Sequence, residues 1–186
     1  MTTAILDRLL NDHQNLKRVL TVLEREIAKY DTENSDDDDT PDLSLIMDIM
    51  EYMHSYPEFF HHPLEEVAFD YLEAQKLAAP SKTSVIRSDH DQLEREGDEL
   101  RSLIRKINFG QPVPLDQLHR AFEDYAWHMR EHMRKEEDLV FPLFERLDEA
   151  SNQAILDNIQ HRHDPLFDEY KQEQYDTLLE RLEQLA

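Results

Sequence analysis

The chain has 186 residues, with 42 acidic against 20 basic side chains, a formal net charge of −22 and no cysteine. This charge argues against nucleic acid and anionic membranes as partners, since both attract basic surfaces. The missing thiols exclude disulfides, cysteine-bound zinc and iron–sulfur clusters. The sequence has no signal peptide and no apolar run of about 18 residues, so we expect one soluble, cytoplasmic protein.

The first predicted helix covers roughly residues 3–30. Its apolar residues recur at steps of three and four, and His13 is the only polar member of that stripe. A single histidine on an apolar face is usually a core residue, so His13 alone does not define a site. The acidic stretch 31–40 lacks the glycine and glutamate of a calcium loop, and it is predicted to be a solvated linker.

The second predicted helix covers roughly residues 40–79. His61 and Glu65 continue its apolar stripe, whereas His62 and Glu66 lie about 100° round the helix, at the angle one residue subtends. We therefore favour the pair His61–Glu65 and keep His62–Glu66 as a frame-shifted alternative. Pro57 and Pro63 fall inside this helix, which predicts a kink or a bulge beside His61.

The third and fourth predicted helices cover roughly residues 81–108 and 115–147. His90 is the polar member of the third stripe, and His132 and Glu136 stand where core residues are expected in the fourth. Residues four apart are neighbours on one helix face, so His132 and Glu136 can reach a shared atom. Shorter helices are predicted from residue 151 to the C-terminus, where they cover the other helices or form a partner surface, for example in a homodimer.

An internal repeat ties these residues together. The pattern Asp-His-x-x-Leu begins at Asp12 and again at Asp89, and His-x-x-x-Glu-Glu begins at His61 and again at His132. Each half thus supplies one histidine, then one histidine and one glutamate. Buried carboxylates need partners, and four imidazoles with two carboxylates suit a pair of first-row transition-metal ions.

These motifs resemble the hemerythrin-like, or HHE cation-binding, family over about residues 1–147. The resemblance implies an all-α, antiparallel up-down four-helix bundle, with residues 148–186 as a helical C-terminal extension. It also implies two non-heme iron ions, bridged by carboxylates and by an oxo or hydroxo group, with an open position for a small ligand. Carried onto this chain, the implied ligands are His13, His61, Glu65, His90, His132 and Glu136.

The chain departs from the oxygen-carrying members of that family at one position. Glu94 stands one turn after His90, where those proteins have a further histidine, so simple oxygen carriage is not expected. Glu94 is an extra ligand, an outer base or an exposed residue, and His128 is assigned to the surroundings of the site or to the surface. The expected function is binding of, or reaction with, oxygen, nitric oxide or peroxide in sensing or detoxification.

Iron storage or delivery, for example for cluster repair, is the alternative function. Repair-type relatives carry an additional cysteine-bearing domain. This chain has no cysteine, which argues against a role in cluster repair.

Overall fold

The protein is described by a computed structural model that covers residues 4–31, 40–160 and 165–184. Every regular element within those ranges is helical, which confirms the all-α class. The elements of the first half are α1 (Ala4–Ala28) with a 3₁₀ turn (Lys29–Asp31), α2 (Leu43–Tyr56), a π-helical segment (Pro57–His61) and α3 (His62–Ala74). Those of the second half are α4 (Pro80–Asn108), α5 (Leu115–Leu139), α6 (Phe141–Phe144), α7 (Glu149–Gln160) and α8 (Pro165–Gln184). Most of the predicted linker, residues 32–39, lies outside the described ranges.

The π-helical segment confirms the irregularity predicted beside His61. The backbone N–H of His62 donates to the carbonyl of Pro57, five residues back instead of four. Pro63 has no N–H to donate, and its ring would clash with the carbonyl four residues earlier in a regular helix. The wider turn adds one residue between α2 and α3 and shifts the helix frame downstream of it.

The fourth predicted helix is shorter than expected. It ends at Leu139 and resumes after Val140 as the short helix α6, because Pro142 cannot donate to the helical ladder. Leu115 and Leu139, the first and last residues of α5, are 43% and 38% exposed although both are apolar. Both lie in the terminal turns of α5, where a helix protrudes from its packing partners.

The long helices form a closed ring of contacts in the order α1, α2, α4, α5 and back to α1. α1 packs on α2 and α5, and α4 packs on the same two helices. Outside this group, α7 packs on α1 and α3, and α8 packs on α1 and α2. No helix within residues 4–31, 40–160 and 165–184 is long and apolar enough to cross a membrane.

The apolar interior consists of two clusters, with a polar layer between them. On α1, Leu9 belongs to one cluster and Leu16 to the other, and His13 lies between them. On α4, His90 lies in the same way between Ile86 and Leu93. The site residues therefore occupy a buried layer that aliphatic side chains would otherwise fill.

Candidate metal centre

Glu136 lies at the centre of the polar layer. One of its carboxylate oxygens is 2.9 Å from His13 Nε2, and the other is 2.9 Å from His132 Nε2 and 3.6 Å from His90 Nε2. Its side chain has no exposed surface. A single carboxylate from α5 thus faces histidines from both halves of the chain.

Glu65 occupies the matching position on α3. One carboxylate oxygen is 3.7 Å from His61 Nε2 and the other is 3.4 Å from His90 Nε2. Glu65 is also fully buried, and His61 is 2% exposed. The six residues proposed as ligands from the sequence therefore lie together in the fold.

The donor atoms fall into sets small enough to surround a metal ion. His13, His61 and Glu136 form one set, and Glu65, His90 and Glu136 form another, each with donor atoms within 4.8 Å of one another. The two sets share Glu136. A carboxylate shared between two donor sets is the arrangement that a pair of bridged ions requires.

The carboxylate oxygens of this layer lie close to imidazole nitrogens, but the contacts do not have the geometry of hydrogen bonds. Both oxygens of Glu65 and of Glu136, and the Nε2 atoms of His13 and His90, are buried and make no hydrogen bond within the part of the chain that the structure describes. Buried polar groups left in this state are costly, and such groups are rare in stable proteins. Metal coordination removes that cost, so the residues present fit a metal centre.

The charges of the layer are strongly coupled. Burial lowers the pKa of His90, but contacts with Glu136 and Glu65 outweigh it and raise the pKa to about 9. Burial likewise lowers the pKa of His132, but the Glu136 carboxylate and Asp89 outweigh it and raise the pKa to about 10. Burial raises the pKa of Glu136, yet the neighbouring imidazoles, led by His132, hold it well below the usual value. Without metal, the carboxylates thus favour protonated rings at His90 and His132.

The far nitrogens of three histidines meet acidic partners. His61 Nδ1 is 3.2 Å from Asp12, which also accepts a 2.6 Å hydrogen bond from the hydroxyl of Tyr56. His13 Nδ1 is 2.9 Å from Glu137, and His132 Nδ1 is 3.9 Å from Asp89. Acidic partners within hydrogen-bond distance, as at His61 and His13, orient the ring and would direct Nε2 toward a metal ion.

These acidic partners were missed at the level of sequence, although the repeat contained the signal. Asp12 precedes His13 and Asp89 precedes His90, and each aspartate turns to the histidine of the following His-x-x-x-Glu motif instead of its own neighbour. Glu137 lies one residue beyond Glu136 on α5, about 100° round the helix. It contacts both His13 and Lys17, the latter at 2.7 Å.

The four additional candidates separate in the structure. His62 is half-buried, and one of its ring nitrogens lies within 4.8 Å of donor nitrogens of His90 and His132. Glu66 points elsewhere and pairs with Arg87 at 2.8 Å. Glu94 is an exposed residue on the wall of a cavity.

His128 lies away from the polar layer. Its Nδ1 is 2.7 Å from a carboxylate oxygen of Glu96. It lines a separate, smaller cavity together with Trp127 and Lys135. Of the four additional candidates, only His62 touches the cluster.

A cavity of about 450 Å³ connects the cluster with the surface. It reaches His61, His62, His90 and His132, and its inner wall includes Met53. The outer wall carries four acidic residues, namely Glu58, Glu66, Asp91 and Glu94. The cluster is therefore buried but reachable by small molecules and ions.

Together, the helical fold and the buried histidine–carboxylate cluster define a protein of the helical cation-binding class. The chain belongs to the hemerythrin HHE cation-binding domain family, whose sequence pattern matches residues 4–144. This match confirms the resemblance seen in the motifs. A comparison with curated proteins gave no significant match, and neither did a comparison with solved structures.

Proposed function

We propose that this chain is a non-heme di-iron protein that binds or reacts with a small ligand, namely oxygen, nitric oxide or peroxide, in sensing or detoxification. The observation that carries the proposal is the placement of Glu65 and Glu136, two fully buried carboxylates, among histidine nitrogens of both halves. The proposed ligands are His13, His61, Glu65, His90, His132 and Glu136.

Donor chemistry supports iron as the metal. Imidazole and carboxylate donors suit first-row transition ions, whereas magnesium and calcium prefer oxygen ligands alone. Six convergent donors are too many for one ion with an exchangeable position, so we propose two ions joined by carboxylates and by an oxo or hydroxo bridge.

The contacts among the long helices support a hemerythrin-like arrangement. We propose that α1, α2 with α3, α4 and α5 form an antiparallel up-down four-helix bundle within residues 1–147. Residues 148–186 form an extension packed on it, since α7 contacts α3 and α8 contacts α1 and α2. Tyr175, Leu178 and Leu182 of α8 are buried in one of the two apolar clusters.

The cavity supports access by small ligands. Met53 and Met129 line its inner part, and such apolar walls admit small neutral molecules more easily than ions. Glu94 places an exposed carboxylate on the cavity wall at the position where the oxygen carriers have a histidine. Because its negative charge favours the ferric state, we propose that the reduced centre oxidises in air without a long-lived oxygenated form.

The test is metal analysis of protein from iron-replete cells, followed by optical spectra of the anaerobic diferrous protein mixed with oxygen, nitric oxide or peroxide. Two iron ions per chain and a rapid spectral change with nitric oxide or peroxide are expected. The variant Glu136→Ala serves as the control that lacks the shared carboxylate. One ion per chain, zinc in the site, or a stable and reversible oxygenated spectrum would contradict the proposal.

Iron storage or delivery is the second candidate, and the acidic outer wall of the cavity favours it. Glu58, Asp91 and Glu94 would attract ferrous ions to the entrance. The test is the rate of iron transfer to a ferrous chelator for the native protein and for the double variant Glu58→Gln/Glu94→Gln. A slower transfer in the variant supports iron handling, and an unchanged rate argues against it.

A further inference from the structure

The π-helical segment changes what the consecutive histidines of α3 can do. In a regular helix, adjacent residues point about 100° apart, so His61 and His62 would not both face one site. Here the π-helical turn Pro57–His61 contains one additional residue, so the side-chain directions of α2 and α3 are out of step. His61 is the last residue of that turn, and His62 is the first residue of α3. His61 is buried beside Glu65, while His62 is half-buried and borders the same cluster from the cavity side.

The surroundings of His62 are those of a metal ligand more than those of a surface histidine. Its ring stacks on the ring of His90 with centroids 3.8 Å apart, and it meets the edge of the His132 ring at 6.3 Å. One nitrogen of each of these three rings lies within 4.8 Å of the others. The three rings are therefore close enough for a nitrogen of each to contact one ion.

We propose that His62 is a fifth histidine ligand, bound to the same iron ion as His90 and His132. This inference rests on the proposed di-iron function and adds a residue to it. In this arrangement His13 and His61 would hold the other ion, and Glu65 and Glu136 would lie between the two donor groups.

The fifth imidazole thus comes from α3 and not from α4. The position one turn after His90 on α4 is the exposed Glu94, whereas His62 lies directly over the His90 ring. Glu66 lies four residues after His62 on α3, but its carboxylate pairs with Arg87 at 2.8 Å. It therefore does not serve as the carboxylate partner of the His62 ring. His62 is half-buried and lines the cavity, so this ligand would lie between one metal ion and the solvent side.

The test compares His62→Ala with His54→Ala. His54 lines the same cavity but belongs to none of the donor sets found among the described residues, and its nearest charged partner is Asp98 at 3.9 Å. The measurements are iron per chain, affinity for the more weakly bound ion by chelator competition, and the number of imidazole ligands by X-ray absorption. Azide affinity of the diferric protein reports an opened coordination position.

We expect His62→Ala to lose about tenfold or more in affinity for one ion, since even residues behind the ligands are worth 10–100-fold. It should also lose one imidazole from the X-ray absorption signal and bind azide more tightly. Free imidazole at millimolar concentration should enter the cavity and reverse these changes. His54→Ala should behave as the native protein does.

His62→Gln provides a second variant if the alanine protein does not fold, because it keeps a side chain of similar reach. This inference alone would be overturned if the native protein binds two ions and the variants at position 62 match it in affinity, imidazole count and azide binding. Native protein without two ions would overturn the proposed function and the inference together.

Discussion

The two His-x-x-x-Glu-Glu motifs have the same sequence pattern but different structures around them. His132 and Glu136 lie in a regular stretch of α5, and the next acid, Glu137, contacts His13 Nδ1 at 2.9 Å. His61 and Glu65 follow a π-helical segment, and their next acid, Glu66, pairs with Arg87 instead of a histidine. A repeat in sequence therefore does not guarantee a repeat in role.

The consequence of this asymmetry appears at His90. In the second motif, Glu137 reaches the lone histidine of the opposite half, His13. In the first motif, the equivalent place beside the lone histidine His90 is taken by the ring of His62. An imidazole thus stands where symmetry predicts a carboxylate, and the two halves of the centre are chemically unequal.

The largest expected effect separates the first glutamate of each motif from the second. Glu65→Ala and Glu136→Ala should each abolish binding of the iron pair, because each removes a carboxylate that lies between histidines of both halves. Glu137→Ala should weaken binding by roughly 10–100-fold through the loss of ring orientation at His13. Glu66→Ala should leave iron binding unchanged. Iron per chain after desalting, with helicity by circular dichroism as the folding control, measures all four.

If Glu66 were essential and Glu65 dispensable, the assignment of inward-facing residues after the π-helical segment would be wrong. Equal effects of Glu66→Ala and Glu137→Ala would remove the asymmetry between the motifs.

The second prediction uses the raised pKa values of His90 and His132 in the metal-free protein. A histidine whose folded pKa exceeds the unfolded value of about 6.5 adds stability below that pH and loses it as the pH rises through the folded pKa. The free energy of unfolding should therefore fall between pH 6.5 and about 9 to 10, by at most about 1.4 kcal/mol per pH unit for each histidine. Urea unfolding of metal-free protein at pH 6.5, 8 and 9.5, values chosen to bracket that window, provides the measurement.

The variant His132→Gln should reduce that slope, and His54→Gln should leave it unchanged. A stability that stays constant or increases over this range would show that the carboxylates do not hold protons on these imidazoles. Since metal binding needs neutral imidazoles, iron uptake by the native protein should release protons in the same range.

Much of this arrangement follows from the sequence alone. The steps of three and four residues identified the polar members of each stripe, His13 and His90, because a helix face requires that period. The same argument selected Glu65 over Glu66. The structure places all of these in one layer between two apolar clusters, which shows that helical periodicity is sufficient to find inward-facing polar residues.

Periodicity was insufficient where the helix or the contact was not regular. A π turn shifts the frame by one residue, so no fixed angle assigns His62 correctly. Asp12 and Asp89 act on histidines 49 and 43 residues away in sequence, and contacts between helices depend on packing that no single stripe encodes. Glu137 is reached from α1 for the same reason.

A smaller effect should distinguish the two aspartates of the repeat. The Asp12 side chain is 2% exposed and contacts both His61 and the Tyr56 hydroxyl, whereas the Asp89 side chain is 18% exposed and 3.9 Å from His132. Asp12→Asn should weaken iron binding by roughly 10–100-fold, and Asp89→Asn should weaken it by less than about tenfold. Competition with a ferrous chelator measures both affinities.

The variant Tyr56→Phe is the control for Asp12, because it removes one contact of that carboxylate and keeps the other. If Asp89→Asn has the larger effect, the exposed partner orients its histidine more strongly than the buried one, and burial is a poor guide to the importance of these contacts.

The smallest expected effect tests the halves at a position away from the metal. Gly97 lies seven residues after His90, where the first half has Leu20 seven residues after His13. A Cβ at position 97 would lie 3.3 Å from Cε2 of Tyr125, so the ring must shift by a few tenths of an ångström. Alanine favours a helix over glycine by about 1 kcal/mol. Because Tyr125 borders the cavity and has space to move, we expect Gly97→Ala to stabilise the protein by less than about 1 kcal/mol, with iron binding unchanged.

Thermal unfolding of Gly97→Ala alone and together with Tyr125→Leu measures the contact. A loss of stability in the single variant that disappears in the double variant would mean that this ring is fixed, and that the second half requires glycine for its packing where the first half accommodates leucine.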